Sequence, residues 1–289
     1  GEFISPPKEE SSFNATLNIA PLKMKTIQAF SLGYLKESKG DINGELKISG
    51  TTNKPVIKGD LNFNAAEFNV AMLNAAFLID NEKISFNDRG ISLTNFNIKD
   101  KKGNSGELNG TINTTNYTDY AFNLNLKTDN FEVVNSTRQD NDLFFGKMYV
   151  SSDLRIRGTL DKPVVDGNIK VQENTDFVFI MPNENPGIVE RKGVVEFVDM
   201  SDTTHTNVFA KLDSLTTTKL SGLDVTLNLQ TDKEAKFKII LDEGSQDALN
   251  IQGEAELNAG IDASSKITMS GTYTVDKGSY SFSFGPVKR

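Results

Sequence analysis

Apolar and polar residues alternate with a period of two along most of this chain. Tyr120, Phe122, Leu124 and Leu126 are interleaved with Ala121, Asn123, Asn125 and Lys127, and Leu223, Val225, Leu227 and Leu229 with Asp224, Thr226, Asn228 and Gln230. The same alternation marks Leu46/Ile48, Leu61/Phe63, Leu154/Ile156, Ile169/Val171, Phe237/Ile239/Leu241 and Leu249/Ile251. Successive side chains of a strand point to opposite faces, so each run has one apolar and one wet face. Clusters of Gly, Asn and Asp, such as Asn87-Asp88-Arg89-Gly90 and Lys101-Lys102-Gly103-Asn104, separate the runs as turns require. Between Leu93 and Phe96 the alternation slips by one residue, which predicts a bulge at Thr94-Asn95. The expectation is an all-β chain of short, mostly antiparallel strands. Two stretches depart from it. Ile27, Phe30 and Tyr34 recur at helical spacing, predicting a short amphipathic helix over Met24–Leu35. A weaker helical or irregular stretch is expected over Asn130–Phe145, and the Thr- and Ser-rich Asp199–Ser221 reads as a polar insertion loop.

An internal repeat organises the pattern. Gly50-Thr51-Thr52-Asn53-Lys54-Pro55-Val56-Ile57-Lys58-Gly59 matches Gly158-Thr159-Leu160-Asp161-Lys162-Pro163-Val164-Val165-Asp166-Gly167 at six of ten positions, with a constant offset of 108 residues. The motif is a strand ending in Gly, a turn with Pro where no N–H is needed, and a second strand. Ser270-Gly271-Thr272 is a weaker third echo. Self-similarity at a fixed offset predicts stacked units sharing one continuous core. The expected units are 13–128, 129–221 (with the insertion loop) and 222–289, after a leader over 1–12 whose Gly1-Glu2-Phe3 reads as a cloning scar. Lys288-Arg289 stops in mid-pattern, so the chain reads as a piece excised from a longer protein.

Composition narrows the chemistry. The chain has no Cys and one His, which removes thiol nucleophiles, disulfides and Cys- or His-rich metal sites. Its 31 Lys and Arg stand against 39 Asp and Glu, a formal charge of −8, arguing against nucleic acid and against adsorption to anionic bilayers. No phosphate-cradling Gly motif occurs. Ser214, His205 and Asp202 share a polar segment with no nucleophile elbow, so they read as loop residues rather than a triad. Asp140-Asn141-Asp142 lacks the spacing of a Ca²⁺ loop. No enzyme activity, cofactor or metal is expected.

What remains is a surplus of apolar strand faces. They either close on each other as the core of a two-sheet sandwich, or line a single curled sheet as an open trough. Periodicity does not separate the two.

The order of motifs carries a resemblance. Gly40-Asp41-Ile42-Asn43-Gly44-Glu45-Leu46-Lys47-Ile48-Ser49-Gly50-Thr51 is followed by Lys54-Pro55-Val56-Ile57-Lys58-Gly59, then Ile84-Ser85-Phe86, Gly90-Ile91-Ser92-Leu93 and Gly106-Glu107-Leu108-Asn109-Gly110. With Leu249-Asn250-Ile251-Gln252-Gly253, Ile267–Tyr273 and Lys277-Gly278-Ser279-Tyr280-Ser281-Phe282, this resembles TamB, the translocation and assembly module family of the AsmA-like superfamily, in its Asn- and Lys-rich Bacteroidota style. The resemblance implies an elongated, curved antiparallel β-taco: a U-shaped sheet enclosing an apolar groove, with one or two short helices. It also implies a periplasmic segment of a protein anchored in the inner membrane by an N-terminal helix. Such a protein meets an outer-membrane barrel of the TamA/BamA type, conducts phospholipid between the membranes and supports outer-membrane protein assembly.

The family offers no catalytic residue; what it transfers is the apolar face of each matched strand. The groove is expected to be lined by Leu46, Ile48, Leu61, Phe63, Phe122, Leu124, Leu126, Leu154, Ile156, Ile169, Val171, Leu227, Leu229, Ile239 and Ile251, touching phospholipid acyl chains. Charging it, as in Leu124→Arg or Leu227→Glu, should block transport. Competing expectations are a scaffold that binds nascent outer-membrane proteins by β-augmentation, and an adhesive surface β-solenoid.

Overall fold

The computed structural model describes residues 2–4, 12–181, 222–242, 244, 247–263 and 266–282. The elements run β1 (Glu2–Ile4), β2 (Ser12–Lys23), α1 (Met24–Phe30), β3 (Leu35–Thr51), β4 (Pro55–Val70), β5 (Ala75–Ile79), β6 (Lys83–Asn87), β7 (Gly90–Lys99) and β8 (Ser105–Asn113). They continue with β9 (Ala121–Ser136), β10 (Phe144–Thr159), β11 (Pro163–Val171), β12 (Asp176–Ile180), β13 (Asp224–Thr231), β14 (Lys236–Asp242), β15 (Asp247–Ile261) and β16 (Ile267–Ser281).

All sixteen strands belong to one sheet, in the order β1-β2-β3-β4-β5-β7-β8-β9-β10-β11-β13-β15-β14-β12, with β6 between β4 and β7 and β16 beside β15. The fold is therefore the curved, all-β single sheet that the resemblance implied. The sandwich alternative fails, because the described residues form no second sheet. The boundary drawn between residues 128 and 129 falls inside β9.

A line of irregularities crosses the sheet and bends its strands. It passes through Glu37 and Gly40 in β3, Ala65 in β4, the gap between β5 and β6, Asn95 in β7 and Asn130 in β9, each of the five named residues at positive φ. It continues through register shifts at Met148/Tyr149 and Val150/Ser152 in β10 and at Gln252/Gly253 in β15. A bulge inserts an unpaired residue and bends its strand, so a row of them creases the whole sheet into a U. The slip at Thr94-Asn95 is part of this crease: the β7–β8 register shifts between Leu93 and Phe96, and Asn95 takes φ 49°.

The crease also falls between β11 and β12 and between β13 and β14. Both breaks are four-residue turns, closed by Thr175 N–H to Gln172 O (3.1 Å) and Ala235 N–H to Asp232 O (3.0 Å). β11 pairs β13 and β12 pairs β14 in parallel, with one constant offset of 60 residues from Val164↔Asp224 to Ile180↔Ile240. These parallel pairs are the exception to the antiparallel expectation.

The repeated motif forms two equivalent hairpins. Gly50 faces Pro55 and Gly158 faces Pro163, and each turn is closed by reciprocal bonds: Thr51 with Lys54, and Thr159 with Lys162. The glycines are required here: at φ 98° and 87°, a Cβ on Gly50 or Gly158 would lie 2.4 or 2.3 Å from a lysine carbonyl across the turn. The third echo is different, since Gly271 sits within β16 rather than at a turn.

Two helical expectations are corrected. α1 ends at Phe30, three residues past Ile27 and short of Tyr34, because Leu32 (φ 51°) and Gly33 (φ 87°) turn the chain back in left-handed conformation. Ser31 secures that end by donating its hydroxyl to Gln28 O and accepting Leu35 N–H. Ile27 packs inward, but Phe30 and Tyr34 are exposed. Over Asn130–Phe145 there is no helix: β9 stays extended to Ser136, with a bulge at Asn130 (φ 44°) that breaks the alternation, and only 137–143 is irregular, as the alternative had it. One short helix is thus present among the described residues. Asp199–Ser221, with Asp202, His205 and Ser214, lies outside them.

Candidate functional site: an apolar trough

Residues directly opposite one another in neighbouring strands share a face, so the register traces the apolar surface across the sheet. One row reads Leu17, Leu46, Gly59, Phe86, Ile91, Ile112, Phe122. A second reads Phe96, Leu108, Leu126, Leu154, Gly167, Leu227, Ala259, Met269. Beyond the crease a third reads Phe144, Phe179, Ile239, Leu249, Tyr280. Ile48 lies opposite Ala15 and Ile57, Phe63 opposite Ile42, and Ile156 opposite Leu124. Ile169, Leu229 and Leu257 form a further row, as do Phe177, Phe237 and Ile251. All fifteen residues expected to line the groove fall on this one face.

Their burial follows from the single layer. Leu46, Leu124 and Val171 are buried, and the other twelve are half-buried, packed sideways but not covered. The deepest part is a cluster of Met24, Ile42, Ala66, Ile79, Leu93, Phe96 and Leu124, with Ile27, Leu61, Phe63, Ile112, Phe122 and Ile156 against it. Phe63 meets Phe96 edge to face at 5.6 Å. Helix α1 closes over this end of the trough through Met24 and Ile27.

The alternation of leucine with glycine shapes the floor. Leu46 lies opposite Gly59, Leu61 opposite Gly44, Leu124 opposite Gly110, and Leu154 and Leu227 both flank Gly167. Each leucine has beside it a position without a side chain, so the floor is apolar but not filled. Several polar side chains on this face bond locally. Thr128 and Ser152 hydroxyls bond each other at 2.8 Å, and Thr231 donates to Gly253 O at 3.0 Å. None of these hydroxyls needs water to be satisfied.

The opposite face is charged. Lys127–Asp153 (3.3 Å), Lys83–Asp60 (3.2 Å), Lys99–Asp80 (2.7 Å) and Lys39–Glu67 (3.1 Å) pair across strands, joined by Arg157–Asp166. Exposed pairs stabilise by at most about 1 kcal/mol each, so their main effect is to keep this face wet. Donation to the Asp80 carboxylate holds the Lys99 ammonium above its usual range, and Ser85 and Lys83 hold Asp60 below the usual carboxylate range. A shallow depression of about 430 Å³ on this face is lined by Glu45, Lys47, Lys58, Asp60 and Asn62.

The sequence reading missed the deepest residues. Ile42, Leu93 and Phe96 sit beside bulges where the alternation breaks, and Phe144 stacks on Phe177, which faces Phe237 in the neighbouring strand, contacts that only strand pairing brings about. The short runs Ile84-Ser85-Phe86 and Gly90-Ile91-Ser92-Leu93 carried the period that places this middle section. One expected probe changes its meaning: Leu124 is 8% exposed within the cluster, so a charge there attacks the fold itself. Asp140 is engaged with Lys36 and with Thr137 N–H and Oγ1, leaving Asp140-Asn141-Asp142 in use as a turn.

One sheet, charged on one face and apolar on the other, defines an all-β curved-sheet protein of the β-taco type, with no cluster of metal-ligating side chains among the described residues. The chain belongs to the TamB family: the family model for the TamB C-terminal domain matches residues 94–287, about two-thirds of its length. No curated protein and no solved structure matches it. No helix of the described residues is long and apolar enough to cross a membrane.

Proposed function

We propose that the trough is a passive conduit for phospholipid acyl chains across the periplasm, in a TamB-like protein that links the inner membrane to an outer-membrane barrel of the TamA/BamA type and supports outer-membrane protein assembly. The observation carrying this reading is the continuity of the apolar face, whose side chains are half-buried rather than fully buried over most of its length. A folded chain seldom leaves so long an apolar surface without a ligand for it. Each CH₂ of an acyl chain transferred there gains about 0.8 kcal/mol at full burial, so partial burial holds a chain while allowing it to slide. The test is bound lipid measured by mass spectrometry after extraction from bacterial membranes. Wild type should retain phospholipid, whereas Leu126→Arg and Leu227→Glu, at half-buried positions, should lose it while unfolding at a similar temperature. Equal retention by the charged variants would end the conduit reading.

A second reading rests on β16, which pairs with β15 alone among the described strands, carries exposed Met269, Val275 and Tyr280, and is followed by exposed Phe282. A free edge of this kind suits β-augmentation by an outer-membrane strand. It predicts backbone-edge crosslinks from β16 that are unaffected by charges on the trough floor.

A further inference from the structure

The turns of the sheet fall along two margins with different chemistry. At one margin the tips are mostly polar: Thr52-Asn53-Lys54, Asp88-Arg89, Thr115-Asn116 and Asp161-Lys162, with Leu160 as the one large exposed apolar side chain. At the other, three neighbouring tips carry exposed apolar side chains, in the β9–β10 turn beside the exposed polar Thr137, Arg138, Gln139 and Asp142. The α1–β3 turn presents Phe30 (82% exposed), Leu32 (73%) and Tyr34, the β4–β5 turn Met72, and the β9–β10 turn Leu143, the last three at least half exposed.

These three tips form one body. Ala71 N–H donates to Tyr34 O and Asn135 N–H to Leu73 O, both at 2.9 Å. The Asn74 amide donates to Asn135 O at 2.9 Å, and Lys36 Nζ meets Asp140 at 2.9 Å. Backbone and polar groups make every tie, so the apolar side chains stay free. The patch is also continuous with the trough. Met24 and Ile27 of α1 pack into the inner cluster, and the same short helix ends at exposed Phe30.

We infer that the tied tips at Phe30–Tyr34, Met72 and Leu143 are the point at which an acyl chain passes between a lipid bilayer and the trough. This rests on the conduit reading above. A lipid suits the patch because its side chains project singly from separate tips, as in shallow insertion at a bilayer interface. The net charge of −8 disfavours coulombic attraction to an anionic surface, so binding should be apolar and insensitive to salt.

The test compares the full 289-residue chain with a Phe30→Ser/Leu32→Ser/Met72→Ser variant and a Leu160→Ser control. Two probes are used: a monomeric fluorescent fatty acid, and a fluorescent phospholipid held in phosphatidylcholine vesicles. The triple variant should bind the fatty acid as wild type does, take up vesicle lipid at least tenfold more slowly, and no longer float with vesicles. Leu160→Ser should match wild type in all three. Vesicle uptake by the triple variant at the wild-type rate, or an equal loss in Leu160→Ser, overturns the inference. So does a wild type that binds the fatty acid but never engages vesicles, which points to a protein at the tips. Failure of wild type to bind the monomeric fatty acid removes the conduit reading, and the entry point with it.

Discussion

Asp100 accepts the backbone N–H of Glu132 at 2.9 Å, joining the β7–β8 turn to a strand 32 residues further along. The same carboxylate, 1% exposed, also accepts N–H from Lys102 (2.8 Å) and Asn104 (2.9 Å) and the Asn104 side-chain amide (2.8 Å). β8 begins only at Ser105, so this turn continues the sheet against β9 where no strand is available. Hydrogen bonds to a buried charge are each worth roughly 1.5–3 kcal/mol, and orphaned donors add to the loss. Asp100→Ala should therefore lower unfolding free energy by about 3 kcal/mol or more in urea titration, and Asp100→Asn by less. A loss under about 1 kcal/mol for the alanine variant would remove the turn from any role in holding β9.

Beside that turn, the buried Tyr149 hydroxyl donates to the Glu132 carboxylate and accepts from Lys102 Nζ at 2.7 Å. Burial, then the neighbouring Glu132, pushes the Tyr149 hydroxyl above its ordinary value of 10.0. The neutral phenol is the folded form, so the associated stability is full below pH 10 and declines as pH rises from there through the folded-state value. Thermal unfolding followed from pH 8 to 11 should show a fall that Tyr149→Phe reduces, alongside a lower stability of that variant at pH 8. An unchanged alkaline slope would mean that other tyrosines or lysines carry it.

Two glycines with positive φ should respond differently to alanine. A Cβ on Gly59 (φ +135°) would lie 2.1 Å from Glu45 O in the next strand, whereas one on Gly33 (φ +87°) meets nothing within 4 Å. Gly33→Ala pays only backbone strain, on the order of 1 kcal/mol. Gly59→Ala must also move a paired strand, and should cost clearly more, above about 3 kcal/mol, or fail to fold. Similar melting temperatures for the two variants would contradict the close approach at Gly59.

Thr137 N–H, with help from Lys36, lowers the Asp140 carboxyl from 3.8 to about 2. A depressed carboxyl stabilises the fold above its unfolded value near 3.8, and that contribution fades as pH falls toward 2. Stability measured between pH 5 and 2 should thus fall less steeply in Asp140→Asn than in wild type. Parallel acid curves for the two proteins would show the Lys36–Asp140 contact to be energetically idle.

Much of this architecture was legible because alternation is a local property. The two-residue period at Phe122–Leu126 or Leu154–Ile156 places an apolar side chain on a given face whatever strand lies alongside, and the slip at Thr94-Asn95 announced its bulge for the same reason. The choice between sandwich and trough was not legible from periodicity, since it depends on which strands become neighbours. Nor was the parallel pairing of β11 with β13, although Val171-Gln172-Glu173-Asn174-Thr175-Asp176-Phe177 and Thr231-Asp232-Lys233-Glu234-Ala235-Lys236-Phe237 share one strand–polar turn–Phe pattern at the paired offset. The helix failed at its end for a backbone reason. Ile27, Phe30 and Tyr34 keep the period, but two left-handed residues at Leu32 and Gly33 outweigh it.

The shared break in β11/β12 and β13/β14 makes length an adjustable quantity. A strand–turn–strand unit laid parallel to its neighbour in unchanged register meets the same bend at the same height, so a further unit extends the gutter without resetting its cross-section. The distance such a protein spans can then scale with the number of units, while its profile stays constant from one end to the other.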